Sequence, residues 1–258
     1  MPDKEPFFSI ITVTLNHLRG LQRTWESVQS QVFHDFEWIV VDGASQDGTL
    51  QFLQMLKASV LRWISEPDTG LYEAMNKGIA MAGGNYILFL NAGDLLAGAD
   101  VLQIIYNEAI KASYPDFIYG DAYERVGGRI YLKKARSHRT IWYGMFTHHQ
   151  AMIYNRAALG DLRYRTRYKL AADFALTSEF LSRASVVHRV PIPICVFEGG
   201  GVTSTLRAHL QGMIEQWYIC YSIQKRCKII CSLIFLLHIG KHTVLHLLHP
   251  LYIFLRYR

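Results

Sequence analysis

The chain predicts an α/β fold, a mostly parallel, Rossmann-like sheet flanked by crossover helices. Three observations carry that expectation. Short apolar runs alternate with amphipathic stretches through the first half of the chain. The segments joining them are short, as in βα units. The runs end in polar residues, Asn16, Asp42 and Asp94, which a parallel sheet gathers on one edge.

The elements follow in order. Phe8 to Leu15 is β-branched and apolar, the pattern of a buried first strand. Leu18 to Gln31 sets Leu21, Trp25 and Val28 on one helical face. Glu37 to Val41 is a second buried strand, running into a loop with two glycines and two aspartates, Asp42 and Asp47. Asp47 suits either a helix cap or a ligand contact. A helix is expected from Leu50 to Ala58, a weaker strand from Leu61 to Ser65, and a helix from Leu71 to Ala82 stopped by Gly83-Gly84. Tyr86 to Leu90 is the central buried strand. It breaks into Asn91-Ala92-Gly93-Asp94, so Asp94 is expected to face a cleft beyond the carboxyl edge, where a carboxylate suits a hard cation.

The second half reads as a helix over Val101 to Ala112, a strand over Asp116 to Asp121, and a hairpin around Gly127-Gly128. His148 and His149 precede another strand, with no third metal ligand at useful spacing. Tyr168 to Leu176 opens an apolar helix with Asp173 in its first turn. Val186 to Phe197 holds a last strand, and Gly199 to Ser204 is a glycine loop suited to a lid or to a plain surface turn.

Composition narrows the function. With 258 residues, 50% of them hydrophobic and 19% charged, the chain can bury a large core. No Gly-x-Gly-x-x-Gly follows the first strand and no Gly-x-x-x-x-Gly-Lys-Ser/Thr occurs, which argues against a dinucleotide fold and excludes a P-loop. The four cysteines, Cys195, Cys220, Cys227 and Cys231, lie in the last third and read as buried thiols, not a zinc site.

Four ordered motifs resemble the family 2 glycosyltransferases. They are Ser9 to Asn16, Trp38 to Thr49, Ser65 to Gly78 (Ser-Glu-Pro-Asp-Thr-Gly-Leu-Tyr-Glu-Ala-Met-Asn-Lys-Gly) and Leu90 to Asp94. The Asn-Ala-Gly-Asp variant resembles the colanic-acid and exopolysaccharide branch. The resemblance implies a GT-A fold over residues 1–205, with a nucleotide-binding half at about 8–120 and an acceptor half at about 121–205. It implies a nucleotide-sugar donor, expected to be a UDP-sugar, and Mg2+ or Mn2+ held by Asp94. Asp42, Asn16 and the backbone around Thr14 would line the base pocket, and Asp68 would sit near base or ribose. Asn76 and Lys77 would lie near the diphosphate and donor sugar. Asn91 stands where the usual Asp-x-Asp motif has its first aspartate, and it can still hydrogen-bond a sugar hydroxyl. His149 and Gln150 would shape the donor and acceptor pocket, Asp121 either faces that cleft or sits in a turn, and Asp173 would be the general base of an inverting transfer.

From Arg207 onward seven Lys and Arg residues face one acid, Glu215, among aliphatic runs. Residues 206–258 therefore read as a basic, apolar helical extension, either lying on a membrane or packed on the core or a second copy. No run reaches the ~18 apolar residues of a spanning helix. The N-terminus lacks a secretory apolar core, so the expected place is the cytoplasm, on the inner face of the membrane, beside a glycan or lipid-linked acceptor. Nucleic acid is not an expected partner. Two rivals stay open: a sugar-1-phosphate nucleotidyltransferase, and a non-catalytic nucleotide-sugar-binding subunit of a polysaccharide assembly complex.

Overall fold

A computed structural model describes residues 5–199 and 206–247. The glycine loop beyond Gly199 and the closing segment 248–258 lie outside the described residues.

Four strands and three helices alternate first: β1 (Phe8–Thr14), α1 (Leu18–Gln29), β2 (Phe36–Asp42), α2 (Thr49–Met55), β3 (Leu61–Ser65), α3 (Leu71–Met81) and β4 (Tyr86–Phe89). β1 lies parallel to both β2 and β4, and β2 is parallel to β3. Every residue of β1, β2 and β4 is buried, as the unbroken apolar runs require of strands covered on both faces. Trp38 is the largest of these side chains. It stacks on Trp25 of α1 at 4.8 Å, and its indole N–H donates to Thr12 Oγ1 at 2.9 Å. The Thr12 hydroxyl donates in turn to the Leu90 carbonyl at 2.7 Å, so no polar atom of this buried trio is stranded.

Beyond β4 the sheet becomes mixed. It adds β5 (Leu95–Leu96), α4 (Val101–Lys111), β6 (Phe117–Val126), β7 (Arg129–Lys133), β8 (Met152–Asn155), α5 (Arg156–Leu159), α6 (Ala172–Leu181) and β9 (Val187–Glu198). The strand order is β3-β2-β1-β4-β8-β6-β9-β5, with β7 paired to β6. β8 runs antiparallel to β4 and β6, whereas β9 runs parallel to β6. The β6–β7 hairpin turns at Gly127-Gly128, both at positive φ.

The two-residue strand β5 escaped the sequence reading because it is too short to show a period. It pairs antiparallel with β9, Leu95 opposite Val196, and so brings the 91–94 segment against the end of β9. The C-terminal extension is helical as expected: α7 (Leu206–Ser222) is followed by one continuous helix, α8 (Lys228–Leu247). Among the described residues no helix is long and apolar enough to cross a membrane. Ile219, Cys220 and Cys231 of α7 and α8 are buried in the same cluster as Phe174 and Phe180 of α6, so the extension is fastened to the α6 side of the sheet. Cys195, Cys220 and Cys231 are buried free thiols as expected, while Cys227 is exposed.

Candidate active site

A cleft of about 720 Å³ opens at the carboxyl edge of β1 and β4. β1 delivers Thr14 and His17, and the turn after β4 delivers Asn91. Tyr72 enters from α3, Lys133 from the end of β7, His148 to Gln150 from the turn before β8, and Lys169 with Asp173 from the start of α6. Five of the sequence-selected residues line it: Thr14, Asn91, His149, Gln150 and Asp173.

Asp173 is the carboxylate of the lining. Its Oδ1 accepts the Phe174 N–H at 2.8 Å and faces the Tyr72 hydroxyl at 3.4 Å. Burial raises its pKa to about 6, against the lowering effect of those two donors. The group is therefore ionised above that pH and still basic enough to take a proton.

His149 is buried, stacks on Phe89 at 4.9 Å, and shares a hydrogen bond with the Tyr164 hydroxyl. Burial lowers its pKa to about 4, so the imidazole is neutral at pH 7. Thr14 Oγ1 and Asn91 Oδ1 are buried without a hydrogen-bond partner. A buried polar atom left unpaired costs about 1–3 kcal/mol, which a bound ligand's hydroxyl or N–H group recovers. Both residues belong to the cleft lining.

The other selected residues stand beside or beneath the cleft and do not line it. Asp42 is fully buried, and its carboxylate accepts from the Ser45 N–H, the Ser45 hydroxyl and, at 2.6 Å, the Ser65 hydroxyl. Asn16, at φ 50°, accepts the Gln46 N–H at 2.8 Å and binds the β1 and β2 loops together. Asp68 accepts the Gly70 N–H at 2.8 Å, and its carboxylate packs so near Gly43 that a Cβ there would lie 2.8 Å from Oδ2. The Asn76 amide clamps the Tyr164 backbone in both directions, at 2.9 and 2.8 Å. Lys77 donates to the Pro67 carbonyl at 2.9 Å and pairs with Glu66 at 2.8 Å. Asp121 accepts the Ala135 N–H at 2.8 Å and the Arg189 guanidinium at 3.0 Å. The polar atoms of Asn76, Lys77 and Asp121 thus hold the protein's own loops in this structure, and the sequence leaves Asp121 open between cleft and turn. Asp47 is not the N-cap of α2, which is Gly48, but it accepts the first N–H of that helix, from Thr49 at 3.2 Å, and the Leu18 N–H of α1 at 2.7 Å.

Asp94, expected to hold the cation, also lies behind the lining. It is 4% exposed, with Oδ2 accepting from the Gln150 amide at 2.7 Å and Oδ1 accepting from the Glu198 N–H at 2.9 Å. Burial raises its pKa to about 7, opposed by those two donors. Counting from Asn91, the second aspartate of an Asp-x-Asp motif falls at Gly93, which has φ 103°. A Cβ there would lie 3.1 Å from His17 Cε1. Among the described residues no group of three or more His, Cys, Asp or Glu side chains could hold a metal ion. A nucleotide-bound divalent cation takes one or two carboxylates, and phosphate oxygens and water complete its shell. Asp94, enclosed behind the lining and with both oxygens engaged inside the protein, does not offer Mg2+ or Mn2+ that carboxylate as it stands.

Sequence reasoning missed His17, Lys133, His148, Lys169 and, as a lining residue, Tyr72. His148 was visible beside His149, but its partners were not. Its ring stacks on Phe197 at 4.4 Å, its Nε2 is 3.2 Å from Lys133 Nζ, and the Glu124 carboxylate is 3.6 Å away. One further residue acts on the site from a distance. Glu215 of α7 accepts the backbone N–H groups of Lys169, Leu170 and Ala171 at 3.0, 2.9 and 3.0 Å, fixing the segment that leads into Asp173.

Comparison with known proteins shows what the chain is similar to. The model for glycosyl transferase family 2 matches residues 9–168. A "PGL/p-HBAD biosynthesis glycosyltransferase" of Mycobacterium bovis BCG is 33% identical over 212 residues, covering 78% of this chain and 80% of that protein. Among solved structures, TarS of S. aureus in complex with UDP-GlcNAc superposes with a TM-score of 0.70 at 19% identity, covering 92% of this chain and 72% of the other. A mannosyltransferase of Pyrobaculum calidifontis in complex with GDP-Man and Mn2+ gives 0.64 at 17% identity, covering 96% and 72%. The fold is of the GT-A type.

Proposed function

The chain belongs to glycosyl transferase family 2, and from that premise we propose that it moves a sugar from a nucleoside-diphosphate donor, a UDP-sugar, to a hydroxyl of a glycan or lipid-linked acceptor, with inversion. The cleft takes the donor. Thr14 Oγ1 and Asn91 Oδ1 meet its hydroxyl or N–H groups, with Asn16, Asp42 and Asp68 holding the loops around the base. Asp173 accepts the acceptor's proton as that oxygen bonds to the anomeric carbon. The sugar's bond to the diphosphate breaks in the same displacement, and the nucleoside diphosphate leaves with the electron pair. A single displacement inverts the anomeric centre, and among the described lining residues no second carboxylate offers a covalent route. His149, neutral and held by Tyr164, and Gln150, held by Asp94, form the wall beside the sugar. The observation carrying this reading is Asp173 in the wall of the cleft, its basicity raised by burial.

The acceptor side has its own support. Ile229, Leu233, Leu236 and Leu237 make an exposed aliphatic stripe on α8, and Leu210, Ile214, Tyr218 and Tyr221 make one on α7. Lys225, Arg226 and Lys228 crowd the turn between them. An apolar stripe bordered by cations suits an anionic membrane surface and an acceptor anchored there, as in assembly of a bacterial surface polysaccharide. A divalent cation, which would add positive charge at the diphosphate, enters no step here because the donor set at Asp94 does not fit one.

The test is a panel of UDP- and GDP-sugars with polyprenyl-phosphate-linked and free glycan acceptors, scored for nucleoside diphosphate release and product anomer. Acceptor-dependent release with an inverted product, lost in Asp173→Asn, is expected. A retained anomer, or a wild-type rate in Asp173→Asn, would overturn the mechanism.

A further inference from the structure

The leaving diphosphate needs positive charge, and the cleft offers it in an unexpected form. Resting on the nucleotide-sugar reading above, we propose that Lys133, with His148 beside it, and Lys169 neutralise the donor's diphosphate where an Asp-x-Asp motif would hold a divalent cation.

Three observations meet here. First, the motif's second carboxylate is not merely missing. Its position, Gly93, is at φ 103°, and any side chain there would start 3.1 Å from the His17 ring. His17 itself is nested on Gly20, where a Cβ would fall 2.4 Å from Cε1. Two glycines thus leave room for the His17 imidazole in the cleft lining, and an aspartate at 93 would bring backbone strain and a contact to which that ring must yield. Second, the remaining acid, Asp94, has each carboxylate oxygen engaged, one by Gln150 and one by the Glu198 backbone, and it stays behind the lining. Turning it toward a cation would strip two donors from a buried network.

Third, the lining has the opposite charge pattern from a cation site. Lys133, Lys169, His17 and His148 line the cleft together with one carboxylate, Asp173. Lys133 and His148 are held, not loose. The His148 ring is flat against Phe197, with interplanar angle 19°, and the buried Glu124 carboxylate sits near its Nε2. That frame holds the Lys133 ammonium, 3.2 Å from His148 Nε2, at the cleft wall. Lys169 enters the lining on the segment clamped by Glu215. Two ammonium groups at a diphosphate neutralise the same charge that a divalent cation would, through charge-assisted N–H···O bonds.

The experiment measures UDP and GDP binding to the full chain by calorimetry, in EDTA and in Mn2+, for the wild type, Lys133→Gln and Lys169→Gln. Lys133→Arg and the melting midpoint of each variant guard against loss of fold. Expected is binding in EDTA within threefold of that in Mn2+, weakened at least tenfold in Lys133→Gln or Lys169→Gln, and largely restored in Lys133→Arg. Binding that vanishes in EDTA and returns with Mn2+ overturns the inference and leaves the transferase reading standing. Folded glutamine variants that bind as tightly as wild type overturn it as well. No binding of either nucleotide in either buffer overturns the nucleotide-sugar reading and this inference with it.

Discussion

Replacing Glu215 by Ala tests whether the C-terminal helices belong to the catalytic unit. Its carboxylate is 9% exposed and takes three backbone N–H groups, from Lys169, Leu170 and Ala171, with the Gln211 amide as a fourth donor at 3.1 Å. Only the Ala171 bond is deeply buried; the other two backbone groups are partly wetted and recover some loss from water. One orphaned buried donor costs ~1–3 kcal/mol and each wetted bond to a charged group somewhat less, so the total is about 3 kcal/mol. For a chain of this size that is roughly 6–12 °C in melting midpoint, at ~2–4 °C per kcal/mol. Glu215→Gln should lose most of the same, because one carboxylate oxygen becomes a donor facing donors. The assays are thermal unfolding and transfer with saturating donor. Asp173 lies two residues beyond the clamped segment, so kcat should fall more than donor affinity. A Glu215→Ala protein melting within 1 °C of wild type, with kcat unchanged, would refute the coupling.

Other outcomes follow from the same geometry. Transfer should rise with pH through an apparent pKa of about 6, because Asp173 must be ionised to accept a proton. A limb near the unperturbed value of about 3.9 would refute the raised basicity of Asp173, and a limb unchanged in Asp173→Asn would show that some other group is the base. Tyr72→Phe removes a donor that lowers the Asp173 pKa and should move that limb upward, read from the pH profile of kcat/KM. Asp94 has its pKa raised from 3.8 to about 7 in the folded protein, so between those pH values the folded state holds a proton that the unfolded state has lost. Its contribution to stability therefore declines as pH rises from about 4 to 7, and Asp94→Asn should flatten that decline in urea titrations at pH 5 and pH 8. Binding to vesicles containing anionic lipid should weaken at least fivefold in Leu233→Glu/Leu237→Glu, with transfer to a soluble acceptor retained; equal binding would remove the membrane role of α8.

Much of the fold is legible because burial on both faces writes itself as unbroken apolar runs, and β1, β2 and β4 lie where those runs lie. Two features escape for opposite reasons. β5 is two residues long, and its existence depends on β9, a hundred residues away. The extent of α8 is not legible either, because Lys241 and the histidines interrupt its apolar run; helix formation tolerates polar residues, so hydropathy bounds the apolar stretch and not the helix.

The candidate site divides along a different line. Strand ends are readable, so the residues near the cleft were found; which way each polar atom turns is not, because that depends on partners far off in the chain. Asn76 shows the difficulty. It sits on α3 within a motif that invites a ligand role, yet both ends of its amide are taken by the backbone of Tyr164, 88 residues later. Tyr164 then bonds His149, which does line the cleft. Asp94 serves Gln150 in the same manner. Buried polar side chains must find partners, and the nearest are usually other parts of the protein. A short polar motif at a strand end therefore holds two kinds of residue, those that meet the ligand and those that brace them. The brace needs a saturated side chain and the contact needs an unsaturated one. By that criterion Thr14 and Asn91, whose oxygens are buried and unpaired, have the stronger claim on the donor than Asp42 or Asn76. Thr14→Val and Asn91→Ala should consequently weaken UDP binding in calorimetry without lowering the melting midpoint, whereas Asn76→Ala should lower the midpoint first.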